Sequence, residues 1–315
     1  MSAPDRTAKI KAWVEALRLR SLPLSVGGIL VAGGLASYFS LFRWGLFLMT
    51  LLAAVLLQVL ANFADEYGDL DNGADNEGRI GPIRGMQRGD ISRAEMKRGM
   101  LAIVLLCALL FLALMWVAFG PQAPGSLQAG HIRWGFIVLY VLFALLCIAG
   151  AVFYTVGDHP YGYYGLGDLA CFLFFGLMSV SGGFILFAQG YIGTILLPSI
   201  GVGLLVVGMI SINNMRDLEN DAATGKRTMA VLLGRKGALV YHICVVLFGL
   251  GFLLAFPIAQ ACPWWDYAFV LFYIPELKIL LDTVKAQPQE LDRCMRPHSL
   301  CTALICLAFA LCLGL

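Results

Sequence analysis

Long apolar segments alternate with polar segments along the whole chain. A membrane-spanning helix needs about 20 mostly apolar residues, and the strict alternation typical of membrane strands is absent, so the segments are predicted to be helices. The predicted spans are residues 22–41, 43–63, 99–119, 134–156, 166–189, 191–214, 237–259, 265–282 and 298–315. The pattern indicates an all-α polytopic membrane protein that forms a single membrane-embedded domain over residues 1–315.

Composition supports this fold class and excludes a soluble globular protein. Apolar residues make up 60% of the 315 residues and charged residues 13%, against about 45–50% and about 25% in ordinary globular proteins. A soluble protein could not cover its surface with so few charges, so the lipid bilayer is an expected partner. The formal net charge of +2 gives no reason to expect a nucleic acid partner. The nine cysteines lie mostly inside apolar runs and lack metal-site spacing, so we interpret them as small buried hydrophobic residues.

The distribution of Lys and Arg predicts the orientation of the spans. Segments 1–21, 64–98, 215–236 and 283–297 fall on one side of the predicted membrane and carry 19 of the 22 basic residues. We therefore expect the N-terminus and the two long polar loops to face the cytoplasm and the C-terminus to lie on the opposite side. Function is expected in those two loops, because the opposite loops are short and nearly featureless.

The second and sixth predicted helices end in matching acidic motifs, at residues 62–77 and 213–227. Both contain the pattern N-x2-D-x3-D-x3-G, with a constant offset of 152 residues. The matched positions are Asn62, Asp65, Asp69 and Gly73 in the first motif and Asn214, Asp217, Asp221 and Gly225 in the second. We interpret the match as a diverged internal repeat that gives the chain two related halves.

Each motif places acidic and amide side chains on one helical face. Residues three and four positions apart are neighbours on a helix, where like charges repel, and the negative end of the helix dipole adds to the cost. The two stripes are Asn62, Asp65, Glu66 and Asp69, and Asn213, Asn214, Asp217 and Asp221. A hard divalent cation with oxygen ligands would compensate, and Mg²⁺ in particular binds a few carboxylates together with substrate phosphates. The alternative is two solvated helix ends with ordinary acidic loops.

Basic residues follow each stripe. Arg79 and Arg84 follow the first, and Lys226 and Arg227 follow the second. Metal-binding carboxylates beside Arg and Lys can hold a diphosphate and stabilise it as a leaving group. The Gly- and Pro-rich settings of Arg84 and Lys226 favour these two, since they let the backbone approach a phosphate. The alternative is the general excess of basic residues in cytoplasmic loops.

A third polar block, residues 154–168, is rich in tyrosine and joins two spans on the predicted cytoplasmic side. Its tyrosines either line an apolar chamber, where their ring electrons face a developing carbocation, or form an aromatic belt at the membrane surface. The sequence leaves both possibilities open.

These blocks together resemble the UbiA superfamily of intramembrane aromatic prenyltransferases, and within it the branch that acts on 1,4-dihydroxy-2-naphthoate in menaquinone synthesis. The resemblance covers nearly the whole chain. It rests on the segments 17–23, 62–69, 79–85, 154–168 and 213–226. It implies nine helices around a central cavity, with the two acidic motifs facing each other across it, and an integral protein of the bacterial cytoplasmic (inner) membrane.

The resemblance also implies roles for individual residues. Asp69, Asp217, Asp221 and Tyr154 are the expected catalytic residues. The expected Mg²⁺ ligands are Asn62, Asp65, Glu66, Asp69, Asn213, Asp217 and Asp221. The naphthoate branch usually has Asn and Asp where this chain has Asp65 and Glu66, so the internal repeat favours Asp65 as the ligand and the family position favours Glu66. Tyr154 is followed by Asp158 where other branches have a lysine.

The implied reaction transfers a polyprenyl chain from polyprenyl diphosphate to 1,4-dihydroxy-2-naphthoate, with loss of CO₂ and pyrophosphate, and gives demethylmenaquinone. Arg79, Arg84, Lys226 and Arg227 would hold the diphosphate, and Arg18 or Arg20 would hold the carboxylate of the acceptor.

Three alternatives remain at the level of sequence. The first is a prenyltransferase for another acceptor, such as 4-hydroxybenzoate or haem. The second is a membrane transporter, for which Glu276 and Lys278 in the eighth predicted span are the suitable pair, although a local structural pairing of the two is the simpler interpretation. The third is a lipid phosphoalcohol transferase, whose D-G-x2-A-R signature this chain lacks.

Overall fold

The computed structural model describes residues 6–19, 21–76, 80, 82–120 and 134–315, and every regular element in these ranges is helical. The α-helical elements, in chain order, are α1 (Arg6–Ala16), α2 (Leu22–Tyr38), α3 (Trp44–Asp71), α4 (Gly85–Arg88), α5 (Arg93–Phe119), α6 (Trp134–Phe153), α7 (Gly167–Ala188), α8 (Leu196–Arg216), α9 (Leu218–Ala223), α10 (Met229–Ala259), α11 (Tyr273–Lys285) and α12 (Asp292–Cys312). Short 3₁₀ turns cover Tyr161–Tyr164, Gly193–Ile195, Trp264–Phe272 and Pro288–Glu290. The predicted all-α membrane class is confirmed.

The count of nine spans is not confirmed. Seven helices in the described ranges are long and apolar enough to cross a membrane. The predicted span 22–41 corresponds to α2, which has 17 residues. The predicted span 265–282 is divided between a 3₁₀ turn of nine residues and α11, which has 13 residues. Hydropathy locates these two apolar segments but does not reveal that the helix in each of them is short.

Helix α8 lies at the centre of the bundle, because small residues allow its neighbours to approach closely. A Cβ atom at Gly201 would lie 2.9 Å from the backbone oxygen of Gly249 on α10. On another face, a Cβ at Gly176 of α7 would lie 2.7 Å from the Cα of Gly203. Helix α12 packs against both α2 and α8. The second acidic motif is therefore carried by the C-terminal end of a rigidly packed central helix.

A cavity of about 350 Å³ opens between α2, α3, α5, α6, α7 and α8. Its apolar part is lined by Phe111, Leu114, Phe143, Phe174 and Met178, among others, and its polar end by both acidic motifs. The segment of α7 along the cavity, Phe172–Gly182, is π-helical. π-Helical stretches occur frequently at functional sites.

Helix α1 packs across the C-terminal half of α3. The rings of Trp13 and Phe63 lie 5.3 Å apart, edge to face, and Lys9 pairs with Glu95 on α5. Helix α5 begins at a capping box formed by Ser92 and Glu95. These contacts bring the residues that follow α1, including Arg18, to the polar end of the cavity.

Candidate active site

The two acidic motifs meet at one end of the cavity. Helix α3 carries the acidic stripe of the first motif, residues 62–69, without interruption, whereas the second motif contains a break at Asp217, between α8 and α9. The cavity-lining side chains that belong to the two acidic stripes are Asn62, Asp65 and Asp69 from the first and Asn213, Asn214, Asp217 and Asp221 from the second. The glycines at the end of the repeated pattern share a backbone conformation. The φ angle is +74° at Gly73 and +77° at Gly225, in the left-handed region that glycine adopts readily.

The two motifs are also joined directly. The side-chain amide of Asn220 donates to the backbone oxygen of Ala74 at 3.2 Å. On the first motif, the amide of Asn62 donates to the oxygen of Leu17 at 2.8 Å and accepts from Gln58 at 3.0 Å. Asn62 therefore fixes the segment after α1 against α3.

Asp65 and Glu66 point in different directions. Asp65 lines the cavity, and its Oδ2 lies 2.7 Å from Arg18 Nη1. The carboxylate of Glu66 is buried and accepts from the backbone N–H of Met86 at 2.9 Å, at the start of α4. Glu66 thus stabilises the loop that carries Arg84, and its side chain is turned away from the cavity that Asp65 faces.

Arg84 lies among the carboxylates of the first motif. Its Nη1 is 3.1 Å from Asp69 Oδ2, 3.0 Å from Asp75 Oδ2 and 3.0 Å from the backbone oxygen of Asp65. Burial alone would lower the pKa of Arg84, but the charges of Asp69, Asp75 and Asp65 outweigh burial and raise it. Asp75, which the sequence motif did not single out, belongs to this cluster. Asp75 follows the end of α3, so the helical spacing of the motif could not predict that its side chain joins this cluster.

The second motif contains its own buried cation. Arg216 makes a side-on pair with Asp217, at 2.8 Å and 2.6 Å, and reaches Asn213 at 3.0 Å and Asp292 of α12 at 2.7 Å. The side chain of Arg216 is fully buried. Nothing in the sequence singled out Arg216, because one arginine beside an aspartate in a basic loop is ordinary. Asn214, beside it, donates to Asp168 at 3.3 Å.

Lys226 reaches back to the first motif. Its Nζ lies 3.9 Å from Asp69 Oδ1 and 5.0 Å from the centre of the Tyr163 ring. Burial alone would lower the pKa of Lys226, and Asp69, Asp221 and Asp65 together raise it. Arg227 differs from its neighbour, since its side chain is exposed and lines a separate polar recess at the surface. The structure therefore brings Arg84 and Lys226 to the acidic end of the cavity and leaves Arg227 outside it.

The tyrosine-rich block divides between the cavity and the surface. Tyr154 and Tyr161 line the cavity, with their rings 5.4 Å apart and edge to face. Tyr163 donates to Asp69 Oδ1 at 3.0 Å. Burial, and then the charge of Asp69, raises the pKa of Tyr163. Tyr164 is exposed and hydrogen-bonds to His159.

The residues present fit a hard divalent cation that is shared with a phosphate ligand. Asp65, Asp69, Asp217 and Asp221 offer carboxylate oxygens at the polar end of the cavity. Across the described ranges, no three His, Cys, Asp or Glu side chains are close enough to hold a metal ion unaided. Mg²⁺ usually takes one or two carboxylates and completes its shell with water and substrate phosphates. The carboxylates at this end of the cavity are ligands of the type that Mg²⁺ binds in this way.

Two sequence predictions fall outside the described residues, namely Arg20 as an acceptor ligand and Arg79 as a diphosphate ligand. The expected local pairing of Glu276 with Lys278 is wrong. Glu276 is buried and lies 2.6 Å from His298 Nδ1 on α12, whereas Lys278 is exposed. Residues two positions apart on a helix do not share a face.

Comparison with known proteins gives consistent results. The model of the UbiA prenyltransferase family matches residues 25–300. The chain is 38% identical to 1,4-dihydroxy-2-naphthoate octaprenyltransferase of Haemophilus influenzae, over 96% of each chain. It is 39% identical to the protein of the same name from Escherichia coli, over 85% of this chain and 83% of that one. Its fold is similar to that of a UbiA homologue from Archaeoglobus fulgidus solved with DMAPP and Mg²⁺, with a TM-score of 0.51 and 14% identity over 92% and 98% of the two chains.

Proposed function

Because this chain belongs to the UbiA prenyltransferase family, we propose that it transfers a polyprenyl chain from polyprenyl diphosphate to 1,4-dihydroxy-2-naphthoate. CO₂ and pyrophosphate are released, and the direct product is demethylmenaquinone in its reduced quinol form, because no step of the transfer oxidises the ring hydroxyls. The observation that carries the proposal is the convergence of two acidic motifs and two partly buried cations, Arg84 and Lys226, at the polar end of an apolar cavity. The names of the two relatives support naphthoate as the acceptor and an octaprenyl chain as the donor.

The donor lies with its tail in the apolar part of the cavity and its diphosphate between the motifs. Arg84 and Lys226 supply the cations for the phosphate oxygens, since both are partly buried beside Asp69 and stay protonated. Arg227 is exposed outside the cavity, so we do not assign it a direct contact with the donor. Charged hydrogen bonds formed in a site that excludes water are worth more than the same bonds in water.

Mg²⁺ is the cofactor that the carboxylates suit. Asp65, Asp69, Asp217 and Asp221 would hold it, with the amides of Asn62 and Asn213 beside them. We favour Asp65 over Glu66, whose carboxylate accepts the Met86 N–H. When bound, Mg²⁺ supplies positive charge that neutralises the diphosphate and stabilises pyrophosphate as a leaving group.

The chain's own residues then align the reacting carbons. The C–O bond of the donor breaks, its electron pair leaves with pyrophosphate, and the allylic carbon becomes cationic. Tyr154 and Tyr161 line this part of the cavity, where aromatic faces stabilise positive charge. The ring carbon that bears the carboxylate attacks the allylic carbon, and loss of CO₂ returns the electrons of the C–CO₂ bond to the ring. Positioning carries most of the catalysis, because the hydroxyls of the acceptor already activate it.

Arg18 is the candidate for binding the carboxylate of the acceptor. It lines the cavity and lies 2.7 Å from Asp65. Its φ angle of +48° is unusual for a residue other than glycine, and backbone strain of this kind clusters at active sites.

The excess of Lys and Arg in the loops around the site supports an orientation with these loops in the cytoplasm of a bacterial cell.

The test is radiolabelled prenyl transfer in detergent, with octaprenyl diphosphate as donor. Parallel reactions contain 1,4-dihydroxy-2-naphthoate or 4-hydroxybenzoate, each with Mg²⁺ or with EDTA. We expect Mg²⁺-dependent labelling of the naphthoate product and its loss in Asp69→Asn and Asp217→Asn. Asp71→Asn and Glu219→Gln are the matched controls, since both are exposed acids within two residues of the motif positions.

Each other outcome has a defined meaning. Labelling of 4-hydroxybenzoate alone would refute the proposed acceptor and retain the donor site. Absence of transfer to any acceptor by folded protein would refute the enzymatic proposal and favour a transporter. Equal activity of the motif variants and their controls would refute the site.

A further inference from the structure

The loop between α6 and α7 contacts both acidic motifs through one residue, Tyr163. The phenol of Tyr163 donates to Asp69 Oδ1 of the first motif at 3.0 Å. Its backbone oxygen accepts from the backbone N–H of Arg227, the last residue of the second motif, at 2.9 Å. A 3₁₀ turn over Tyr161–Tyr164 holds the residue in place. Tyr163 therefore connects parts of the chain that are far apart in sequence.

Asp69 is held through both carboxylate oxygens. Tyr163 binds Oδ1, and Arg84 binds Oδ2 at 3.1 Å. A carboxylate tied at one oxygen can rotate about its Cβ–Cγ bond, whereas one tied at both oxygens presents its remaining lone pairs in fixed directions. Outer hydrogen-bond partners of this kind orient metal-binding carboxylates, and their loss typically costs about 10- to 100-fold in metal affinity or activity.

The ring of Tyr163 has a second contact. Lys226 Nζ lies 5.0 Å from the ring centre and 3.9 Å from Asp69 Oδ1. A cation over an aromatic face is attracted by the ring electrons. The ring and the carboxylate together place the ammonium group at the rim of the acidic cluster. The hydroxyl of Tyr163 thus orients the Asp69 carboxylate, and the ring of Tyr163 positions the Lys226 ammonium group.

We propose that Tyr163 is a positioning residue for the donor diphosphate: its hydroxyl orients Asp69, and its ring holds Lys226 where a phosphate oxygen is bound. The inference rests on the proposed function for the identity of the ligand, and on the Asp69 and Lys226 contacts for the residue. The chemistry that these groups recognise is a diphosphate together with a divalent cation.

Three variants separate the two contacts. Tyr163→Phe keeps the ring and removes the hydroxyl. Tyr163→Leu removes both. Tyr164→Phe is the matched control, because Tyr164 is the next residue, is 56% exposed and hydrogen-bonds to His159. Thermal unfolding in detergent reports whether each variant is folded.

The first readout does not depend on catalysis. Free Mn²⁺ is followed by electron paramagnetic resonance while each purified variant is titrated in the presence of inorganic pyrophosphate. We expect the Mn²⁺ half-saturation concentration of Tyr163→Phe to rise by about tenfold, and that of Tyr164→Phe to stay within about twofold of wild type. In the transfer assay, Tyr163→Phe should show the same rise for Mg²⁺. Tyr163→Leu should in addition raise KM for the donor about fivefold, through the lost ring contact.

The outcomes distinguish this proposal from the proposed function. Unchanged Mn²⁺ binding by folded Tyr163→Phe would overturn the role of the hydroxyl. Equal donor KM values for Tyr163→Phe and folded Tyr163→Leu would overturn the role of the ring, and if Tyr163→Leu does not fold, an unchanged donor KM in Tyr163→Met, which also lacks the ring, overturns it instead. If wild type binds Mn²⁺ and pyrophosphate but transfers no prenyl group, the proposed function fails while the Mn²⁺ titration still decides the role of Tyr163.

Discussion

Replacing Gly68 by alanine is predicted to separate the first acidic motif from the segment that carries Tyr154. A Cβ atom at Gly68 would lie 2.3 Å from the backbone oxygen of Thr155 and 2.4 Å from its carbonyl carbon. Ordinary contacts begin at 3.4 Å, so one backbone must move by about 1 Å. The atoms in the way belong to the main chain and cannot rotate aside.

The cost follows from what this movement breaks. Thr155 Oγ1 donates to the oxygen of Ala64 at 2.9 Å, and Asn72 donates to the oxygen of Thr155 at 2.9 Å. Two such bonds are worth about 1 kcal/mol each, and overpacking costs about 1–3 kcal/mol. Alanine recovers about 1 kcal/mol of helix propensity. The free energy of unfolding should therefore fall by about 2–4 kcal/mol.

Activity should fall further than stability suggests. Tyr154 lines the cavity next to Thr155, and a displacement of about 1 Å at a reacting centre can cost about 100-fold in rate. The assays are chemical unfolding in detergent and prenyl transfer at saturating Mg²⁺. Gly251→Ala on α10 is the control, since a Cβ there would meet nothing within 4 Å, and it should be neutral or slightly stabilising. If Gly68→Ala matched this control in both assays, the steric reasoning would be refuted.

Three further predictions concern the charged and buried groups. Asp65→Asn should lower prenyl transfer by at least about 100-fold, while Glu66→Gln, which still accepts the same backbone N–H, should stay within about threefold; the reverse order would make Glu66 the ligand. The pKa of Lys226 is raised above its ordinary value, so the ammonium stays charged and KM for the donor should be flat between about pH 7.5 and pH 9, a window above the pKa of about 6 of a phosphate group; a rise in KM within that window would contradict this. Gly208→Ala places a Cβ 2.9 Å from His298 Nε2 and should lower the free energy of unfolding by about 1–3 kcal/mol; unchanged stability in detergent would show that the His298 ring moves freely.

Much of the site could be predicted from the sequence, because the relevant signal is periodic. The spacing of Asp65 and Asp69, and its repetition at Asp217 and Asp221, placed these carboxylates on matching helix ends, and the structure brings them to one cavity. The positive φ angles of Gly73 and Gly225 extend the match to the backbone. Spacing carries this information since helix geometry alone decides which side chains share a face.

Other parts of the site depend on tertiary contacts, which produce no periodic pattern in the sequence. The repeated spacing favoured Asp65 and the family position favoured Glu66, so the sequence did not decide between them; the position of α4, whose Met86 N–H reaches Glu66, makes the difference. The roles of Arg216 and Asp75 could not be predicted from spacing either. Arg216 pairs with Asp217 and with Asp292 on α12, and Asp75 pairs with Arg84. The span count also rested on hydropathy, which continues through the 3₁₀ turn Trp264–Phe272 into α11 and so hides the helix boundary.

The balance of charge at the polar end of the cavity links the fold to the proposed chemistry. Clustered carboxylates near hydrocarbon are costly, and the sequence alone required a positive partner for them. The chain supplies several such partners itself: Arg18 pairs with Asp65, Arg84 with Asp69, and Arg216 with Asp217. A diphosphate that arrives with a divalent cation brings both signs of charge. Arg84 would then contact a phosphate oxygen while it keeps its bond to Asp69 Oδ2, and the remaining lone pairs of Asp69 would serve the metal, so each charge of the pair has an opposite charge beside it. Arg216 has a different task, because its side-on pair with Asp217 is anchored to Asp292 on α12; it holds the second motif in place.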